Sequence, residues 1–136
     1  MSVRGFDHWA ITVQDIETTI AFYRGVLGCE ILYEELWRAG KLPIISMRVG
    51  ANVINVHQAG REASPHARQP TPGSGDVCFR WDAPLEDAVA LLDAHGIEIE
   101  EGPVSRPAAD GELGRSIYFR DPDGNLLEFL STVEDA

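Results

Sequence analysis

His8 and Glu128 are the residues best suited to chemistry here: an imidazole and a carboxylate, each interrupting a mostly apolar run that reads as a β-strand. Asp76 and Asn55 interrupt two further such runs, where a central strand usually carries Val, Ile or Leu. Imidazole, carboxylate and amide donors suit a divalent ion such as Zn, Fe, Mn, Co or Ni far better than a thiolate-preferring ion. A set of His8, Asp76 and Glu128 would leave open positions for substrate oxygens, as a Lewis-acid or oxygen-activating centre requires. His57 lies two residues after Asn55 and so shares its strand face, which makes these two the additional or competing ligands. Ser116, Tyr118 and Arg120 alternate along RSIYFR. Tyr118 and Arg120 are therefore expected beside Glu128 as catalytic groups that orient an anionic or enolate-like substrate. His66, in a Pro-rich stretch, and His95, at a helix C-terminus, are read as structural.

These side chains meet only if the fold converges them, and the chain is written twice. A strand over Asp7 to Val13 is followed by Asp15 as a helix cap, by Ile16, Ile20, Tyr23 and Leu27 on one helical face, and by Gly28 as a left-handed stop. Strand-like runs CEILYEEL, IISMRVG and ANVINVHQ follow. The same order returns with DVCFRW, Asp82 as cap, a helix burying Leu85, Ala88, Val89 and Leu92, Gly96 as stop, and strands at IEIEEG, RSIYFR and NLLEFL. The expectation is a single α+β domain over 1–136. It comprises two βαβββ modules, at about 5–60 and about 75–132, joined by a Pro-rich linker at about 61–74. Overlaying the halves pairs His8 with Asp76 and Asn55 with Glu128. Eight strands curled about a pseudo-twofold axis would form a cup with these four residues on its floor. An unpaired carboxylate buried there would cost several kcal/mol, which favours a bound cation.

Composition narrows the partners. The 136 residues carry a net charge of −11, which excludes nucleic acid and anionic membrane surfaces, both of which demand a Lys and Arg surplus. No apolar run is long enough for a membrane span and the N-terminus has no signal-peptide core, so the cytoplasm is expected. Cys29 and Cys78 show no CxxC spacing and read as reduced, buried thiols without a role.

The stretches FDHWAITVQDIETTIAFYRGVLGCEI, DVCFRWDAPLEDAVALLDAHGIEIEEGPV and SIYFRDPDGNLLEF resemble the vicinal oxygen chelate superfamily over nearly the whole chain. That superfamily holds glyoxalase I, extradiol dioxygenases, methylmalonyl-CoA epimerase and the fosfomycin- and bleomycin-resistance proteins. The likeness is greatest to its uncharacterised glyoxalase-domain branch. The resemblance implies metal ligands at His8 and Glu128, and places Asp76 where the superfamily commonly has His or Gln. Asn55 stands where glyoxalase I has Glu, which leaves the two-carboxylate proton shuttle of that isomerase incomplete. It also implies a small-molecule substrate and a homodimer. Metal-dependent lyase or isomerase chemistry is therefore expected ahead of ring-cleaving dioxygenase chemistry. The alternative is a metal-free protein that sequesters a cationic ligand, as bleomycin-resistance proteins do.

Overall fold

A computed structural model describes residues 2–134; Met1, Asp135 and Ala136 lie outside the described residues. The chain divides into two compact units after Gly73, within the Pro-rich stretch read as a linker.

In the first unit, β1 (His8–Val13) leads to α1 (Ile16–Gly25). The Asp15 carboxylate accepts from the Glu17 amide at 3.0 Å, satisfying one of the helix's unpaired N-terminal donors. The helix ends where Gly28 takes φ +70° and the Cys29 amide turns back to the Tyr23 carbonyl at 2.9 Å. β2 (Glu30–Leu32), β3 (Ile44–Val49) and β4 (Asn52–Gln58) complete a mixed sheet in the order β1-β4-β3-β2, with β1 and β4 parallel. The run CEILYEEL, expected as one strand, stops at Leu32. Tyr33 adopts the left-handed region at φ 66°, and Glu34–Arg38 form a short helix, α2, held by an Arg38–Glu34 pair one turn apart and by Arg38 to Glu17. Trp37 belongs to this helix.

The second unit repeats the order with β5 (Asp76–Arg80), α3 (Leu85–Ala94), β6 (Glu101–Pro107), β7 (Leu113–Arg120) and β8 (Leu126–Ser131), in a mixed sheet ordered β5-β8-β7-β6. Two sequence expectations shift. The cap of α3 is Pro84 rather than Asp82: Ala83, preceding a proline, is driven out of helical geometry, which leaves Asp82 too far upstream to cap the helix. The strand expected at IEIEEG begins only at Glu101 and continues through Val104 and Arg106. A bulge between Glu101 and Val104, with Gly102 at φ +110°, carries the chain past Pro103. Since β6 is the edge strand, the missing Pro103 amide breaks no ladder bond on both sides.

One face of each sheet is closed by its helix. In the first unit Ile16, Ile20 and Tyr23 are buried, as are Val13, Ile45, Met47 and Val56 on the facing strands. In the second, Leu85, Ala88 and Leu92 are buried, as are Ile117, Phe119 and Leu127. At roughly 1.5–3 kcal/mol per fully buried large apolar side chain, these clusters dominate the stability of each unit. Strand periodicity sends the alternate residues to the opposite, helix-free face. No helix among the described residues is long and apolar enough to cross a membrane.

Candidate functional site

The helix-free face of the second sheet gathers most of the predicted site. Asp76 and Cys78 come from β5, Glu128 from β8, Ser116, Tyr118 and Arg120 from β7, and Arg106 from β6. Register sets their order: Cys78 lies directly opposite Glu128, and Glu128 directly opposite Tyr118. A turn fixes that register. The Asp121 carboxylate accepts from the Asp123 and Asn125 amides and from the Asn125 side chain, at 3.0, 2.9 and 2.8 Å. Asn125 Oδ1 in turn accepts from the Gly75 amide at 2.7 Å, one residue before Asp76. The motif DPDGN is thus a structural knot tying β7, β8 and the start of β5 together.

On this face the Ser116 hydroxyl donates to Glu128 Oε2 at 2.5 Å. Ser116 is fully buried and Glu128 half-buried, so the carboxylate is oriented by a side chain that is itself locked in place. The Tyr118 hydroxyl accepts from Arg106 Nε at 2.9 Å, and the guanidinium sits 5.6 Å from the Tyr118 ring centroid. Arg120, expected to be open to substrate, is instead clasped by Glu100 through Nε and Nη2 at 3.1 and 3.0 Å, with Nη1 on the Gly124 carbonyl at 3.1 Å. Sequence reasoning missed Arg106 because the break expected at Gly102 and Pro103 removed its strand. Once β6 is extended through the bulge, Arg106 pairs with Gly114 and so shares the face of Ser116 and Tyr118.

The first sheet carries register-equivalent positions. Ala10 lies opposite Asn55 and His8 opposite Val53, just as Cys78 lies opposite Glu128 and Asp76 opposite Leu126. The pairing of His8 with Asp76 and Asn55 with Glu128 is therefore reproduced by strand register. Ser46 donates to Asn55 Oδ1 at 2.7 Å, the counterpart of the Ser116 bond.

The two histidines differ in what they offer. His8 Nδ1 lies 2.8 Å from Asp7 Oδ1, so the carboxylate draws the ring proton to Nδ1 and leaves the Nε2 lone pair outward, the orientation typical of a metal-ligating imidazole. His57 Nδ1 accepts from the Ala63 amide at 3.2 Å, which puts the proton on Nε2 in the neutral ring. Burial, aided by the nearby His66, holds the His57 pKa below its ordinary value and so favours that neutral ring. Burial also pushes the Cys29 thiol up to about 11. At Cys78, desolvation by the packed strand, followed by the Glu128 charge, pushes the thiol up to about 12. Both thiols are neutral at pH 7 in the absence of a metal, and the imidazole and carboxylate donors match a divalent first-row ion. His8 belongs to the first unit and Asp76 and Glu128 to the second. Among the described residues no three His, Cys, Asp or Glu side chains form a ready-made metal cage.

Residues 5–129 match the family described as Glyoxalase/Bleomycin resistance protein/Dioxygenase superfamily. The chain is 45% identical over 133 residues to virulence protein STM3117 of Salmonella typhimurium, covering 98% of this chain and 88% of that protein. The crystal structure of STM3117 superposes with a TM-score of 0.87 at 42% identity, covering 98% of this chain and 100% of that one. Glyoxalase domain-containing protein RDO1 of Mycosarcoma maydis is 43% identical over 136 residues, 100% of this chain and 72% of that protein. The fosfomycin resistance protein FosX of Listeria monocytogenes, solved with Mn(II) and sulfate, shares the fold at TM-score 0.65 and 23% identity, covering 96% of this chain and 92% of that one.

Proposed function

The chain belongs to the Glyoxalase/Bleomycin resistance protein/Dioxygenase superfamily, and on that premise we propose that it is an enzyme whose His8, Asp76 and Glu128 hold a divalent first-row ion for chelating two adjacent oxygens of a small substrate. Lyase or isomerase chemistry is the proposed reaction class, ahead of dioxygenase cleavage. The observation that carries the proposal is the register equivalence of His8 with Asp76 and of Asn55 with Glu128, each on the helix-free face of its sheet.

Bound there, the ion would act as a Lewis acid toward the substrate oxygens. The chain's own residues have separable tasks. Asp7 keeps the His8 Nε2 lone pair facing outward, and Ser116 holds Glu128 Oε2 so that Oε1 remains for coordination or for a substrate proton. Tyr118, whose oxygen accepts from Arg106, directs its own proton away from that bond and toward a substrate oxygen. Asn55 takes no proton, so it cannot act as a first-sheet counterpart of Glu128 in a proton relay. Arg120 keeps its place among the proposed residues as a support: its clasp on Glu100 fixes the edge beside Tyr118.

The rival reading, a metal-free protein sequestering a cationic ligand, draws on the net charge of −11. Elemental analysis of protein purified without chelator decides between them. Near-stoichiometric metal in the wild type that His8→Ala and Glu128→Ala both remove is the expected result. A wild type that stays metal-free after reconstitution overturns the enzyme reading and favours the rival. A cytoplasmic homodimer completes the proposal, with light scattering as its check on assembly.

A further inference from the structure

Three arginines stand on the helix-free face of the second sheet, and their partners distinguish them. Arg80 Nη2 reaches Thr132 Oγ1 at 2.7 Å, with Asp110 at 3.5 Å and Glu112 at 3.7 Å. Arg120 has its fork filled by Glu100. Both charges are neutralised by local carboxylates. Half-buried Arg106 binds only neutral acceptors, the Tyr118 hydroxyl at 2.9 Å through Nε and the Ser105 carbonyl at 2.9 Å through Nη1. Among the described residues no carboxylate lies within ion-pair distance of it and no acceptor occupies its Nη2.

We infer that Arg106, with the Tyr118 hydroxyl beside it, receives an anionic group of the substrate, so that the substrate carries a carboxylate or comparable anion in addition to its two adjacent oxygens. The inference deepens the metal-dependent reading above and rests on it. Geometry supplies the reason. Cys78, Glu128 and Tyr118 form a row across three strands, which Glu101 continues on β6, and Arg106, paired further along with Gly114, reaches back to the Tyr118 hydroxyl with its side chain. A substrate anchored by its oxygens near Glu128 therefore extends along the sheet toward Tyr118 and Arg106. The charge of Glu101, opposite Tyr118, reaches Arg106 ahead of that of Glu128. Among the described residues neither carboxylate forms an ion pair with Arg106, so the guanidinium keeps a planar donor edge suited to an incoming carboxylate. The bulge in β6 and the Tyr118 bond hold that edge in place before any ligand arrives, which lowers the ordering cost of binding.

Malate and glycolate serve as probes, since both present a 2-hydroxy acid and only malate adds a second carboxylate. Calorimetric titration of the Mn(II)-loaded wild type is expected to favour malate by about tenfold or more, the scale of a charge-assisted contact. Arg106→Ala removes that preference while Mn(II) uptake stays unchanged, Arg106→Lys restores part of it, and Arg80→Ala, on the same face but held by Thr132, Asp110 and Glu112, leaves it in place. Wild type that binds both acids equally, or Arg106→Ala that keeps the preference, overturns the inference. The same titrations on metal-free protein separate the two readings. Absent Mn(II) uptake overturns the metal site, whereas malate binding that falls on Arg106→Ala still supports the anion receptor, and binding that does not fall overturns it.

Discussion

Ser116 donates its hydroxyl to the Glu128 carboxylate at 2.5 Å from a diagonal position, because the residue directly opposite Glu128 is Tyr118. In the first sheet the corresponding bond, from Ser46 to Asn55 at 2.7 Å, comes from the residue directly opposite. The two modules have kept a hydroxyl on the acceptor while moving its source by two residues along the strand. That shift frees the position opposite Glu128 for a phenol whose hydroxyl reaches Arg106.

Ser116→Ala removes the donor that orients Glu128. Because Ser116 is fully buried and the bond is to a carboxylate, the expected cost is about 1.5–3 kcal/mol of stability. Loss of ligand orientation is expected to weaken metal uptake by about 10–100-fold, the usual effect of removing a ligand's supporting partner. Denaturant titration reads the first and competition with a metal-sensing dye the second. Unchanged metal affinity in a folded variant would show that Glu128 needs no orienting partner.

Asn125→Ala acts at a distance. Asn125 is 2% exposed and bridges Asp121 to the Gly75 amide, so its truncation removes a donor from the buried Asp121 carboxylate and the acceptor of a strand-end amide together. A loss of about 2–4 kcal/mol is expected, measured as a fall in the denaturation midpoint with an unchanged m-value. Hydrogen exchange should report early opening at the start of β5, beside Asp76.

The paired modules and the shared strand faces were legible because alternation is a local signal. Val53, Asn55 and His57 announce their common face by spacing alone, as do Ser116, Tyr118 and Arg120. Arg106 was hidden by Gly102 and Pro103, which read as a break but sit in an edge-strand bulge. The state of Arg120 was equally hidden, since its partner Glu100 lies 20 residues away and meets it only because the chain entering β6 runs beside β7. The short helix α2 escaped notice because five residues carry too little periodicity to outweigh a strand-like run.

His8→Ala and His57→Ala should part company. With Asp7 holding the proton on Nδ1, His8 presents a free Nε2 lone pair, whereas His57 spends its Nδ1 lone pair on the Ala63 amide. Metal affinity is expected to fall by about tenfold or more for His8→Ala and to change little for His57→Ala, while Asp7→Asn gives an intermediate loss. Isothermal titration with Mn(II) and Zn(II) checks all three. A loss confined to His57→Ala would reverse the assignment of the nitrogen ligand.

Cys78 offers a reading of Glu128 that needs no metal or substrate. The Cys78 thiol is accessible to reagent, yet desolvation and the facing Glu128 charge push it up to about 12. Since only the thiolate reacts, alkylation by iodoacetamide at pH 8 should be slow and should rise with pH through the alkaline range. Glu128→Gln removes the negative charge opposite the sulfur, so the thiol pKa falls, the thiolate fraction at pH 8 rises, and alkylation accelerates. Asp76→Asn, whose charge contributes less, should accelerate it less. A cation bound at Glu128 neutralises the same charge and should move the rate in the same direction as Glu128→Gln, with buried Cys29 as the internal control in the mass spectrum. Rates that ignore Glu128→Gln would place the control of this thiol in desolvation alone.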